Sequence, residues 1–296
     1  MCCPAAPVAF LIPIVLMAQA PQTKAKPSLP PDQVAQTTRY LAALAMPMGG
    51  YAPAAGGKAS LRATLGAVRG LRLLGVEPAD MNACRDFVIG CLTPEGFADA
   101  PDQKPGPAAP ALQAVGLMAL HDLGAEKSPP VAEKMAAQFA RLESLATEFE
   151  SIRLAAAALE AGKRQTPSQP AWVQLIDKAL ASAPDDARLL GGATAARLRL
   201  GVKLKPEEQS ALTTRLLAAQ KEDGGWAKST KDPSDLDSCY RVARAVKMLG
   251  AKPDSARLRA FIASCRNADG GYGVAKGQPS TVSATYQALI VLSWLE

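Results

Sequence analysis

The sequence predicts an all-α fold made of repeated helical hairpins, and three observations support this prediction. Hydrophobic residues make up 48% of the 296 residues, yet aromatic residues make up only 5%. Alanine is abundant, and it is the best helix former, whereas strands prefer β-branched and aromatic side chains. A turn of two glycines and an aromatic residue recurs along the chain, and no long alternating run predicts a sheet. We therefore expect about six helical hairpins stacked side by side.

The N-terminal part of the sequence differs from the repeats. Ala5–Ala18 is almost wholly apolar but short for a membrane span, and Ala18-Gln19-Ala20 has the small-x-small pattern that precedes signal cleavage. No Lys or Arg precedes the apolar run, so a misassigned start codon is the alternative to a signal peptide. We predict a signal peptide at 1–20, a Pro-rich linker at 21–34 and a helical domain at 35–296. The mature chain would then be exported to the periplasm or the extracellular space, without a membrane span.

The glycine-glycine-aromatic turn defines the repeat. It occurs as Gly49-Gly50-Tyr51, Gly224-Gly225-Trp226 and Gly270-Gly271-Tyr272, with a weaker copy at Glu95-Gly96-Phe97. Trp226 and Tyr272 are 46 residues apart, and an alanine-rich helix is predicted after each turn. Because glycine ends helices, we expect these helices to close near Leu74-Gly75, Leu123-Gly124 and Leu249-Gly250.

Two further units lack the turn. Segments 131–162 and 171–201 have helical rhythm, and Leu189-Leu190-Gly191-Gly192 is interpreted as a trace of the missing turn. A single hairpin cannot bury its own apolar face, so the units must stack against each other. Stacking alone allows an open solenoid or a closed ring.

The C-terminal third carries a more specific pattern. Its segments are Gln220–Trp226, Leu236–Tyr240, Leu258–Cys265 and Asp269–Gly273. Over residues 207–296 this pattern resembles the β subunits of protein farnesyl- and geranylgeranyltransferases, most closely that of Rab geranylgeranyltransferase. Squalene and hopene cyclases share the repeat. The resemblance implies that the hairpins close into an α/α toroid, a double-layered helical barrel with a central cavity lined by the inner helices.

The resemblance also implies a zinc site, which this sequence fills only in part. Asp237 and Cys239 match two ligands of the Asp-x-Cys-Tyr segment, but the third, a histidine, is replaced by Ser283, 46 residues after Asp237. Serine is a poor zinc ligand, and the single histidine, His121, is far away in sequence. The residues also allow a simpler interpretation, with Asp237 as a helix N-cap and Cys239 as a small buried hydrophobe. We expect no cofactor, with zinc as the alternative.

The same resemblance implies residues for binding a diphosphate. Tyr240 matches the family tyrosine, Lys231 matches one basic position, and Arg241 and Arg244 follow on the same predicted helix. Arg69 stands 18 residues after Tyr51, as Arg244 does after Trp226. The alternative for these cations is a solvated helix face. The aromatic residues predicted to line the cavity, or else to pack the repeats together, are Trp226, Tyr272, Tyr286 and Tyr51.

These expectations define the function that the sequence predicts. An exported toroid with a degenerate site would be a binding or scaffold module for an unidentified protein or a hydrophobic small molecule. One alternative is a prenyltransferase-like transferase acting on an isoprenoid diphosphate. A second is an isomerase like the class II terpene cyclases, with Asp237 of Asp235-Leu236-Asp237-Ser238 as the acid. The net charge of +6 is scattered rather than clustered with aromatic residues, so no nucleic-acid partner is expected.

Overall fold

The computed structural model describes residues 26–106, 109–182 and 185–296. The predicted signal peptide at 1–20 and the start of the linker lie outside these residues. The first helix begins at Pro31, four residues inside the segment expected to be linker. Just before it, Leu29 packs against the hydrophobic core. None of the helices in the described segments is both long and apolar enough to cross a bilayer.

Twelve α-helices, numbered in chain order, make up nearly all the regular structure of the described residues. The odd-numbered helices pack on the outside. They are α1 (Pro31–Ala42), α3 (Met81–Gly90), α5 (Pro129–Leu145), α7 (Gln169–Ser182), α9 (Pro206–Ala218) and α11 (Ser255–Ser264). Strands β1 (Leu92–Thr93) and β2 (Gly96–Phe97) form one short antiparallel pair at the weakest copy of the turn.

The even-numbered helices form the inner layer. They are α2 (Leu61–Leu73), α4 (Ala109–Asp122), α6 (Phe149–Ala161), α8 (Ala187–Arg199), α10 (Leu236–Met248) and α12 (Val282–Trp294). Each packs against the next, and α12 packs against α2, so the six helices close into a ring. They run parallel, because early residues meet early residues (Arg188 with Asp237) and late residues meet late ones (Arg199 with Glu160). The all-α toroid and its six hairpins are confirmed.

The two ends of the chain hold the ring closed. The backbone N–H of Val282, which begins α12, donates to the carbonyl oxygen of Pro53 in the first repeat at 2.9 Å. The buried hydroxyl of Thr37 on α1 donates to the carbonyl oxygen of Gly270 at 2.8 Å. Contacts between the first and last hairpins therefore replace the exposed ends that an open solenoid would have.

The repeat turns use glycine for two physical reasons. The first glycine of each strong copy has a positive φ, +88° at Gly224 and +89° at Gly270, which L-residues rarely adopt. It also lies against the next outer helix, and a Cβ on Gly224 would stand 2.2 Å from the backbone of Arg257. The positions predicted as helix stops behave as expected, since Gly75 and Gly250 follow their helices with φ of +81° and +73°.

One sequence interpretation is wrong. Gly191 and Gly192 are not a remnant of a turn but lie inside helix α8. A Cβ on Gly191 would stand 2.7 Å from the Cα of Val242 on α10. The missing side chain lets the two inner helices approach closely, and this packing role explains the glycine where no turn exists.

Candidate functional site

Cys239, one of the two zinc-ligand matches, has a structural role that the repeat defines. Its Sγ accepts a hydrogen bond from the backbone N–H of Trp226 at 3.2 Å. At the matching places, Thr64 Oγ1 accepts from Tyr51 and Thr285 Oγ1 accepts from Tyr272, each at 3.0 Å. Each acceptor stands 13 residues after its aromatic residue. Cys239 therefore occupies the place that threonine fills in two other repeats.

The environment of Cys239 keeps its thiol away from solvent and protonated in the metal-free protein. The residue has no exposed surface, and burial raises the pKa of its thiol well above the usual value. Zinc binds the thiolate and not the thiol. Without a metal, the Cys239 thiol therefore stays protonated near neutral pH, and zinc binding would have to displace both its proton and its contact with Trp226.

Asp237 does not cap helix α10, contrary to the simpler interpretation of the sequence. The N-cap is Asp235, whose carboxylate accepts from the backbone N–H of Ser238 at 2.8 Å. Asp237 lies in the first turn, 3.1 Å from Arg241 Nε, 3.5 Å from Arg188 Nη1 and 3.1 Å from Gln287 Nε2, which donates to it. Two arginines and an amide therefore already surround its carboxylate.

The third family position adds no ligand. Ser283 is exposed at the start of α12, and Gln287, one turn later, reaches Asp237, so the two helices have the register that the repeat predicts. Within the described segments, no three His, Cys, Asp or Glu side chains come together in a way that could hold a metal ion. A cysteine that accepts from the Trp226 N–H, a carboxylate paired with two arginines and a serine do not supply the three or four ligands of a zinc site.

A cavity of about 730 Å³ lies at the centre of the toroid and is lined by all six inner helices. Its walls carry five cationic side chains and two carboxylates. The cations are Arg69, Arg153, Arg199, Arg244 and Lys247, and the carboxylates are Asp122 and Glu160. Exposed Lys247 and Glu160 mark its rim. Positive charge thus dominates the cavity.

Three of the arginines have acidic partners. Arg69 pairs with Asp122 across α2 and α4. Arg199 lies 2.8 Å from Glu160 across α8 and α6. Arg153 lies 3.0 Å from Glu150, which Arg241 contacts as well. The pairs of Arg69 and Arg199 tie neighbouring inner helices together, while Glu150 joins Arg153 of its own helix to Arg241 of α10. Part of the positive charge therefore has a structural explanation.

Arg244 has a different environment. Its guanidinium carbon lies 4.8 Å from the ring centre of Tyr240 and 4.7 Å from that of Trp294, and its Nη2 donates to the Tyr240 hydroxyl at 2.8 Å. Its Nε is buried without a hydrogen-bond partner among the described residues. Aromatic rings and a phenol, rather than a carboxylate, hold this cation in place.

The cations change the chemistry of Tyr240. Burial alone would raise the pKa of its phenol, but the positive charges of Arg244, Arg199, Arg69 and Arg153 outweigh burial and lower the pKa to about 8. Neighbouring Tyr286 shows the opposite effect, because burial and then the charge of Tyr240 raise its pKa. The pair of tyrosines thus shows how strongly positive the space beside Tyr240 is.

The structure separates the residues that the sequence grouped as diphosphate-binding. Tyr240 and Arg244 line the cavity together, and Arg69, their counterpart in the first repeat, lines it as well. Arg241 points instead to Asp237 and Glu150. Lys231 is exposed on the loop before α10 and is not part of the lining.

Of the aromatic residues predicted to line the cavity, Tyr286 does so. Trp226, Tyr272 and Tyr51 are at most 3% exposed and lie in the core, outside the lining. The indole N–H of Trp226 donates to the carbonyl oxygen of Leu216 on α9 at 2.9 Å. These three side chains pack the repeats together, which was the alternative that the sequence allowed.

Sequence reasoning missed Arg153, Arg199 and Trp294. Arg153 and Arg199 lie in the two units without the glycine turn, where no repeat register pointed to them. One signal was present, because Arg153 is a lone cation in the alanine-rich stretch of α6. A charged side chain on an inner helix must face a polar cavity or a partner, since burial without either is costly.

Comparisons with known proteins agree with the fold. A family model described as the prenyltransferase alpha-alpha toroid domain matches residues 22–144 and 192–296. Among solved structures, a glycosidase variant in complex with glucose is 12% identical, with a TM-score of 0.55, covering 90% of this chain and 98% of that chain. A protein from Actinoplanes is 14% identical, with a TM-score of 0.54, covering 89% and 98%. At these identities the two structures support the fold alone. No curated protein sequence matches the chain.

Proposed function

Because this chain belongs to the family of prenyltransferase alpha-alpha toroid domains, we propose that it is a toroid that binds a ligand in its central cavity without zinc-dependent transfer chemistry. The observation that carries this proposal is the hydrogen bond from the Trp226 N–H to Cys239 Sγ. Cys239 accepts the same backbone hydrogen bond that Thr64 and Thr285 accept in their repeats, and this role does not require a metal ion.

A size argument supports ligand binding. The cavity of about 730 Å³ falls within the range of small-molecule sites, which span about 300–1,000 Å³. Its lining combines aromatic side chains with a few convergent polar groups, as ligand sites do.

We propose, as the sequence suggested, that the protein acts after export. Mature protein whose N-terminus begins near Pro21 would support this, and intact Met1 on the cellular protein would contradict it.

The competing function is a transferase acting on an isoprenoid diphosphate. Tyr240 and Arg244 favour it, because Tyr240 matches the family tyrosine, Arg244 follows it on the same helix, and both line the cavity. Against it stands the absence of a fitting third zinc ligand near Asp237 and Cys239 in the described chain. The lining is also more cationic than the apolar body of an isoprenoid requires.

The solved glycosidases suggest a further class, which the carboxylates of the cavity do not favour. Glycoside hydrolysis normally needs a pair of carboxyl groups, one of them acting as a general acid. The two carboxylates in the lining, Asp122 and Glu160, are each paired with an arginine. Neither stands free to serve as a proton donor.

A prenyl-transfer assay tests the proposal directly. The mature protein, supplied with zinc, farnesyl diphosphate and a cysteine-containing acceptor peptide, should form no thioether product above the rate without protein. Cys239→Thr serves as the matched variant because threonine already fills this place in two repeats. Product that forms with the unmodified protein and disappears in Cys239→Thr would establish the transferase instead.

A further inference from the structure

The cavity holds more positive charge than its own carboxylates balance. Five cationic side chains line it against two carboxylates, and the charge is concentrated where water is partly excluded. Arg199 and Arg153 have side chains only 5% and 14% exposed. Grouping like charges at such a place is unfavourable unless an anion compensates for it.

The helix dipoles compensate for part of this charge but not all of it. The parallel inner helices end around the rim, where their partial negative charges favour cations in the last turn. This accounts for Arg199, the last residue of α8, and for Lys247 near the end of α10. Arg153, five residues into α6, has Glu150 as its partner instead. Neither effect accounts for Arg244, which lies four residues before the end of α10, because the dipole effect fades beyond the terminal turn.

Arg244 is the cation best placed to receive a ligand. Unlike Arg69, Arg153 and Arg199, it has no carboxylate partner among the described residues and contacts aromatic rings and a phenol instead. A guanidinium presents several N–H donors in one plane and binds oxyanions through two of them at once. The contacts with Tyr240 and Trp294 hold that plane in a fixed orientation, so little ordering would be needed on binding.

We propose that the cavity binds an organic oxyanion, with Arg244 as the anchor of its charged group and the apolar wall as the site of its carbon skeleton. That wall consists of Met118, Leu154 and Ile290 beside Trp294. The inference rests on the proposed ligand-binding function and names the chemical class of the ligand. A neutral apolar molecule, which the sequence alone suggested, would leave Arg244, the lining arginine without a carboxylate partner among the described residues, with no counter-charge.

The test uses two fluorescent probes with the same ring system. Anilinonaphthalene sulfonate carries a sulfonate, and N-phenylnaphthylamine does not. The sulfonate should bind the mature protein at least about tenfold more tightly, because a hydrogen bond to a charged group contributes about 1.5–3 kcal/mol. Equal affinities would overturn the proposal, and this comparison requires no variant.

Two variants locate the site. Arg244→Met should weaken sulfonate binding by about tenfold or more, with the affinity for the neutral probe nearly unchanged. Arg62→Met is the matched control, because Arg62 lies exposed at the opposite end of α2 from the cavity residue Arg69. If both variants bind the sulfonate as well as the unmodified protein does, the arginines serve the helix ends alone and the proposal fails.

The result can be separated from a failure of the proposed function. Prenyl transfer that requires Cys239 would disprove the proposed function, which is ligand binding without zinc-dependent transfer, whatever the probes show. Equal affinities for the sulfonate and the neutral probe, together with no transfer activity, would disprove only the proposal that the ligand is an oxyanion. Melting temperatures of both variants show whether a change in binding reflects the site or unfolding.

Discussion

Arg244 donates a hydrogen bond of 2.8 Å to the hydroxyl of Tyr240, one turn earlier on the same inner helix. The phenol oxygen thus accepts the hydrogen bond that a carboxylate usually accepts from an arginine. Arg199, Arg69 and Arg153 add their charges from three other inner helices. In the free protein, the nearest group able to supply negative charge to Arg244 is therefore a tyrosine.

The first prediction concerns the ionisation of this tyrosine. Ultraviolet difference spectra should show one of the five tyrosines ionising with a midpoint near pH 8, since the arginines lower the pKa of Tyr240 to about 8. The others should ionise later, because burial raises the pKa of Tyr40 and Tyr51 to about 12. Tyr240→Phe should remove the early step and Tyr286→Phe should keep it. An early step that survives in Tyr240→Phe would contradict this assignment.

The same ionisation should affect stability in a defined pH window. A phenol with a lower pKa in the folded state binds fewer protons there than in the unfolded chain, whose tyrosines ionise near pH 10. Its contribution is therefore absent below pH 8 and grows as the pH rises from about 8 to about 10. Urea unfolding of Tyr240→Phe and the unmodified protein should differ increasingly over that window.

A second prediction joins the phenol to anion binding. Ionised Tyr240 places a negative charge among the arginines, so affinity for anilinonaphthalene sulfonate should fall severalfold as the pH rises through about 8. The sulfonate itself stays ionised throughout. Titrations with Tyr240→Phe should show a much smaller fall. A fall of the same size in the variant would mean that another group controls the site.

A third prediction concerns Cys239 as a hydrogen-bond acceptor. Cys239→Ala leaves the buried N–H of Trp226 unsatisfied, which should cost about 1–3 kcal/mol of unfolding free energy. Cys239→Thr supplies the acceptor found at Thr64 and Thr285 and should lose clearly less. Denaturant unfolding measures both. Equal losses would show that the hydrogen bond matters little beside the packing of the side chain.

A fourth prediction tests the closeness of two inner helices. Gly191→Ala places a methyl group 2.7 Å from the Cα of Val242, so α8 and α10 must separate, and stability should fall by about 1–3 kcal/mol. Gly192→Ala is the control, because its methyl group would meet the flexible Arg153 side chain at 3.0 Å. Similar losses for the two neighbours would argue against a special close contact at Gly191.

The sequence predicted the fold well because the repeat turn combines glycine with a buried aromatic residue, a pattern that depends on local backbone geometry. It predicted the cavity only in part. Arg244 and Arg69 could be placed by their distance from a turn, but Arg153 and Arg199 lie in units without that turn. Which arginine lacks a carboxylate depends on contacts between distant helices, and no local pattern carries that information.

Asp237 and Cys239 show a different limit. The motif identified both positions correctly on α10, but their roles depend on neighbours far along the chain. Asp237 is surrounded by Arg188, Arg241 and Gln287. Cys239 is fully buried and accepts a hydrogen bond from the backbone N–H of Trp226. A motif gives the type of residue, while the surrounding charge and burial determine whether a thiol or a carboxylate can bind metal.

The zinc content of the purified mature protein tests the account most directly. Elemental analysis after dialysis against micromolar zinc should find well under one zinc per chain, because two unsuitable ligands leave the ion mostly hydrated. Ser283→His should raise zinc affinity, because it adds an imidazole at the position that the repeat aligns with Asp237, one turn before Gln287, which contacts Asp237. One zinc per chain in the unmodified protein, lost in Cys239→Thr, would contradict the account.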